Sequence, residues 1–200
     1  MLGLPKSTEV RRALPMAQLF KQFDWKPAWR TAFDEDVARL DFVHWISPKT
    51  VHAIATGTDI KEIYIVEVEL KSIDYNFDNI QRLAKAIPQK IVWALTCGGK
   101  VCIAVYQSRL FSTAWQAADA ATLPLNGLDF DAVWQNIVSA IGNFTVSPNS
   151  TLTEQIQTNE ERAKIERQIA TLKRQMAATN QPRRKHELYC QIQELKGGIK

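Results

Sequence analysis

The sequence predicts an α+β fold: a small mixed, largely antiparallel sheet with packed helices, followed by a C-terminal helical hairpin. Three observations carry that expectation. The hydrophobic pattern from residue 29 to residue 107 reads helix, strand, strand, helix, strand, strand, and a further helix follows before residue 145. The polar, proline-containing stretch Thr145 to Ser150 then breaks the pattern, and the apolar residues beyond it keep only helical spacing. Charge divides at the same place: residues 1–150 carry 15 basic and 15 acidic side chains, whereas residues 151–200 carry 10 and 6 and hold the whole net charge of +4. The predicted organisation is therefore a globular body over 1–144, a linker over 145–150 and a basic, coiled-coil-like hairpin over 151–200.

Pro5, Pro15 and Pro27 restrict the opening segment to short elements, one around Ser7 to Ala13 and one around Met16 to Phe23, an arm packed on the body. From Trp29 to Trp45, Phe33, Val37, Leu40 and Val43 recur every three or four positions, which predicts a helix stopped by Ser47-Pro48. Thr50 to Ala55 is predicted as a short β-branched strand. Gly57-Thr58-Asp59 would turn it into a second strand, Ile60 to Leu70, where Tyr64, Val66, Val68 and Leu70 alternate with a face that becomes acidic at Glu67 and Glu69. Asp78 to Ile87 suits a helix ended by Pro88, long enough to serve as a crossover between parallel strands. KIVWALT and KVCIAVY follow as strands around a Gly98-Gly99 turn. In Leu128 to Ile141, Phe130, Val133, Trp134, Ile137, Val138 and Ile141 fall at helical spacing behind Asp129 and Asp131, residues that favour a helix start. In the hairpin, Ile165, Ile169, Leu172 and Met176 step by four, three and four. After Asn180-Gln181-Pro182, Leu188, Ile192 and Leu195 repeat the four and three.

Composition excludes several classes of function. With 46% hydrophobic and 23% charged residues the chain is globular, and all six tryptophans lie before residue 135, where the core is expected. No apolar run approaches the roughly 20 residues that cross a bilayer, and MLGLPKSTEVRRALP lacks the layout of a signal peptide, so a cytoplasmic chain with no membrane partner is expected. Cys97, Cys102 and Cys190 are odd in number and are expected as free thiols. His44, His52 and His186 are scattered, which gives a zinc site little support. Gly98-Gly99-Lys100 sits between two strands, with no helix N-terminus to receive phosphate. No GxSxG, HExxH or paired CxxC pattern occurs.

Three sets of residues are candidates for function. Asp59, Glu69 and Lys71 form an acid followed by a strand carrying Glu-x-Lys, the arrangement by which a nuclease holds Mg²⁺ on carboxylates while a lysine steadies the attacking water. Glu-x-Lys is common by chance, and the plainer reading of the same residues is a solvated sheet face with ion pairs. Lys173, Arg174, Arg183, Arg184 and Lys185 cluster at the tip of the hairpin and could contact nucleic-acid phosphates; a solvated helix surface diluted by neighbouring glutamates is the plainer reading. Ile165, Ile169, Leu172, Met176, Leu188, Ile192 and Leu195 form a narrow seam that would pack on a partner, a second copy or its own domain, because short isolated helices are marginal in water.

LPKSTEVRRALP, FDEDVARLDFVHWISPKTVHA, the strand ending EVELK, AIPQKIVWAL followed by KVCIAVY, GLDFDAVWQNIV and the tail KIERQIATLKRQMAATNQPRRKHELYCQIQEL together resemble an uncharacterised bacterial family, domain of unknown function number forty-three ninety-one. The resemblance covers nearly the whole chain. It implies a context of restriction or antiphage islands, beside helicases and DNA methyltransferases, and it carries no catalytic residues onto this sequence. The expected function is a non-enzymatic accessory or adaptor protein of such a system, binding a helicase or methyltransferase through the hairpin and contacting DNA or RNA, with no cofactor. The alternatives are a Mg²⁺-dependent nuclease using Asp59, Glu69 and Lys71, and a homo-oligomer assembled through the seam.

Overall fold

The computed structural model describes residues 2–147 and 150–197; Met1, Pro148 and Asn149 of the expected linker, and residues 198–200 of the expected hairpin lie outside the described residues. The chain forms two compact units that divide between Thr145 and Val146.

In the first unit a single 3-10 turn, Lys6–Thr8, leads into β1, Glu9–Ala13. The opening segment is thus more than an arm, because β1 pairs antiparallel with β2 and forms an edge of the sheet. Two short helices follow, α1 (Met16–Gln22) and α2 (Pro27–Asp36), and Pro27 opens α2 where its missing N–H costs nothing. The helix predicted from Trp29 to Trp45 ends early: Val37–Ile46 is a strand, β2. Its pairing with β3 (Ile63–Leu70) shifts register between Val37 and Arg39 and again between Phe42 and His44. Each bulge adds a residue to the two-residue alternation, which keeps Val37 with Leu40 on one face and Val43 with Ile46 on the other, and because both faces are covered all four are buried, at intervals of three. That spacing imitates a helix.

Thr50 to Ala55 is not a strand, and β3 takes β2 as its antiparallel partner. The Thr50 hydroxyl donates to the carbonyl of Trp45 at 2.8 Å and accepts from the Ser47 N–H at 2.9 Å, a local turn that competes with extended pairing. Only Ala55 makes a bridge, parallel to Asp129.

The α3 helix, Phe77–Ala86, starts where the Asn76 side chain accepts the Asp78 N–H at 3.0 Å and ends before Pro88. It is a crossover, since β4 (Ile91–Cys97) runs parallel to β3. β5 (Lys100–Gln107) returns antiparallel through Gly98 and Gly99, whose φ values of 55° and 77° suit glycine in a two-residue hairpin turn. β6 (Arg109–Ser112) and β7 (Gln116–Ala117), which the sequence pattern did not reveal, both pair with β5. The described strands make one open mixed sheet in the order β1-β2-β3-β4-β5-β6, with β7 beside β5.

Both faces of the sheet are partly covered. Val66, Val68 and Leu70 of β3 and Cys102 and Ala104 of β5 join Phe33 of α2 and Ile80 and Leu83 of α3 in one core. Val101, Ile103 and Val105 alternate with those β5 residues and are also buried, so they turn to the opposite face. There α4 (Phe130–Gly142) packs on β5 and β6 through a stripe that includes Val133, Trp134, Ile137 and Val138. Burying one such side chain is worth about 1.5–3 kcal/mol. Asp129 caps α4 by accepting the Ala132 N–H at 2.8 Å.

The second unit is a helical hairpin, α5 (Leu152–Ala178) and α6 (Pro182–Gly197), whose two helices pack on one another. A reciprocal cap opens α5: the Thr151 N–H donates to Glu154 Oε2 at 2.8 Å and the Glu154 N–H to Thr151 Oγ1 at 3.3 Å. Among the described residues no helix is long and apolar enough to cross a membrane.

Candidate functional site

The part of the sheet's second face that is not apolar lies at the C-terminal end of β3. Along this strand Ile63 and Ile65 are buried, and the same face continues as Glu67 and Glu69. Pairing places Asp41 opposite Glu67 and Arg39 opposite Glu69 on β2, and Thr96 beside Glu69 on β4. A cavity of about 290 Å³ opens here, lined by Arg11, Arg12, Arg39, Asp41, Glu67 and Glu69, and a cleft of about 370 Å³ lies between Glu67, Glu69, Thr96 and the Gly98-Gly99 turn. Arg39 Nε meets Asp41 Oδ2 at 2.6 Å, and Thr96 Oγ1 donates to Glu67 Oε1 at 3.3 Å. The other oxygen of Asp41, Oδ1, is buried without a hydrogen-bond partner.

Of the three residues expected to form a nuclease site, the structure brings none into contact with another. β3 ends at Leu70, so Lys71 leaves the strand instead of continuing its alternation. Its N–H donates to the Asp36 carbonyl at 2.8 Å and its Nζ to the Asp34 carbonyl, which makes it a cap for the last turn of α2. Glu69 is exposed on the strand. Asp59 lies in the loop before Ile63, and from Ile63 to Glu69 the strand alone spans about 20 Å. The acid that stands near Glu67 and Glu69 is Asp41, which the helical reading of residues 29–45 hid. No group of three or more His, Cys, Asp or Glu among the described residues is placed to hold a metal ion.

At the opposite end of β3, Asp131 in the first turn of α4 receives the Thr58 N–H at 2.6 Å, Asp59 at 3.3 Å and Ile60 at 2.8 Å. Burial raises its carboxyl, and the three donors outweigh that and hold it below the usual carboxylate range. Gly57 is required there, because a Cβ would stand 2.5 Å from Asp131 Oδ1. Beside this loop Lys90 Nζ donates to Gln107 Oε1 at 3.1 Å and lies 5.3 Å over the Trp134 ring. Burial pushes the Lys90 amine down, and the Asp59 carboxylate partly restores it.

Neither buried nucleophiles nor histidines converge. His44 is buried against the Thr8 hydroxyl, 3.0 Å from Nδ1, and burial lowers its pKa. His52 Nδ1 lies 2.9 Å from the Pro48 carbonyl. Cys97 and Cys102 are free and offset in the hairpin, Cys97 opposite Lys100 and Cys102 opposite Leu95. Cys102 donates to the Thr113 carbonyl at 3.1 Å, and burial raises its pKa.

In the hairpin, Lys173, Arg174, Arg183, Arg184 and Lys185 are all exposed, at the end of α5 and the start of α6. Glu187 takes Arg184 at 3.0 Å and Arg183 at 3.8 Å. Of the seam residues, Ile169, Leu188 and Ile192 are buried and Ile165, Leu172, Met176 and Leu195 are half-buried. Their spacing is that of the α5–α6 contact itself, so the seam serves first to close the hairpin.

No curated protein and no solved structure matches the chain. A family model does, over residues 2–198, and it spans the sheet, the polar cleft on its second face and the basic hairpin alike. The chain belongs to the family described as Domain of unknown function (DUF4391).

Proposed function

We propose that the protein is a non-enzymatic accessory protein of a bacterial restriction or antiphage defence system, which holds a helicase or DNA methyltransferase partner and lays its hairpin tip against nucleic acid. The observation that carries this reading is the set of five exposed cations at the α5–α6 turn. Among the described residues only Glu187 forms ion pairs there, and Lys173, Arg174 and Lys185 have none. Because the seam is closed within the hairpin, the tip is a preformed support for charge, and its affinity for phosphates would come from counterion release. The test is binding of the full chain to duplex DNA and to RNA across a salt series. Replacing Lys173, Arg174 and Lys185 by glutamate should weaken binding and reduce the slope of log K against log salt by about 0.9 for each lost phosphate contact. Binding that survives unchanged removes the hairpin tip from the function. Recovery of the helicase or methyltransferase from cells in the same variant tests separately whether the charged tip also holds the partner.

A second reading is favoured by the buried, unpartnered Oδ1 of Asp41 opposite Glu67. A Mg²⁺-dependent nuclease on this scaffold would hold the ion on Asp41 and Glu67, with water completing the shell, since magnesium keeps several waters and needs one or two carboxylates. Its test is metal-dependent cleavage abolished in Asp41→Asn and Glu67→Gln. No cleavage in the wild type disposes of it.

A further inference from the structure

A cavity between the end of α3 and the β5–β6 turn takes no part in either reading. It measures about 210 Å³, and its polar lining is Lys85, Gln89, Lys90, Tyr106, Gln107 and Ser108, with no carboxylate among the residues that enclose it. Lys90 makes no ion pair among the described residues. Its Nζ donates to Gln107 Oε1 at 3.1 Å, and the same oxygen takes Trp134 Nε1 at 3.1 Å. An ammonium and an indole N–H can only donate, so together they fix which way the Gln107 amide points and leave its NH₂ group to find an acceptor elsewhere. No side chain or carbonyl among the described residues supplies one, and the nitrogen is not sealed from solvent.

We propose that this cavity binds a small oxyanion, a phosphate or carboxylate group alone or at the head of a small molecule, on the Lys90 ammonium and the Gln107 amide. The anion would supply the counter-charge that Lys90 lacks, and pairing with a half-buried ammonium is stronger than pairing in open water. Burial already works against the Lys90 charge, and the Asp59 carboxylate, which is not in ion-pair contact with it, offsets that only in part. Lys85 contributes less. It is exposed in the last turn of α3, where it also faces the negative end of that helix. The cavity is smaller than the about 300–1,000 Å³ typical of pockets for drug-sized ligands, so its occupant is small.

The experiment is an NMR titration of the full chain with inorganic phosphate and, separately, with acetate, chloride holding the ionic strength constant. Expected are saturable shifts of the Gln107 side-chain amide and the Trp134 indole N–H with phosphate, with acetate or with both; which of the two saturates identifies the head group. Lys90→Met keeps the apolar stem and removes the charge, and should weaken binding about tenfold or more, the worth of one charged hydrogen bond. Gln107→Glu still accepts from Lys90 and Trp134 but brings its own counter-charge, so it should abolish the Trp134 response. Urea midpoints no lower than that of the wild type would show that the Gln107→Glu fold is intact. Shifts that rise without saturating in the wild type, or an affinity unchanged in both variants, overturn the proposal.

Discussion

Replacing Asp131 by alanine strips the Thr58, Asp59 and Ile60 amides of a shared acceptor, but this loop borders solvent and water can take the carboxylate's place. The cost should therefore sit at the low end for a charge-assisted cluster, about 1–2 kcal/mol by urea denaturation. Because the folded carboxyl is held below its ordinary value, its contribution is present at neutral pH and is lost as pH falls through the folded value. His44 works at milder acidity. Its folded pKa is lowered by burial, so below the unfolded value of about 6.5 the unfolded chain binds a proton that the folded chain refuses, and stability falls. Urea midpoints at pH 7.5 and 5.5 should diverge in the wild type and draw together in His44→Gln. Nothing local in the sequence marks His44 as buried, because its partner Thr8 is 36 residues away. Asp131 was legible as a helix-start residue, whereas its hold on residues 58–60 depends on a contact across more than 70 positions.

At the scale of elements, the helices α3 and α4 and the strands β3, β4 and β5 follow from local pattern, and β2 does not. Two bulges, together with burial on both faces, turn its alternation into a spacing of three, and period alone cannot separate such a strand from a helix. The turn joining β4 to β5 offers a clean test. Gly98 and Gly99 have positive φ, and a Cβ at either would meet nothing within 4 Å, so substitution there is a backbone effect alone. Gly99→Ala should cost about 1–2 kcal/mol, and Gly98→Asn distinctly less, since asparagine tolerates the left-handed region. Equal losses for the two would show that side-chain contacts, not φ, set the requirement.

Across the whole molecule, the sheet unit and the hairpin differ in how much apolar surface they bury. The sheet unit has cores on both faces, whereas α5 and α6 together bury only Ile156, Ile169, Leu188 and Ile192. Native-state hydrogen exchange should accordingly show α5 and α6 opening at lower free energy than β3, β4 and β5. Uniform protection across both units would contradict that difference. By itself the sequence determined the α+β class, the helix pair at the C-terminus and the concentration of positive charge there, because periodicity, proline breaks and residue counts are local properties. Only the tertiary structure decided that β1 and β2 join the sheet, that Asp41 and not Asp59 stands by Glu67, and that Lys71 caps a helix. Those outcomes depend on strand register and on where a strand ends, which are set by pairing between distant segments.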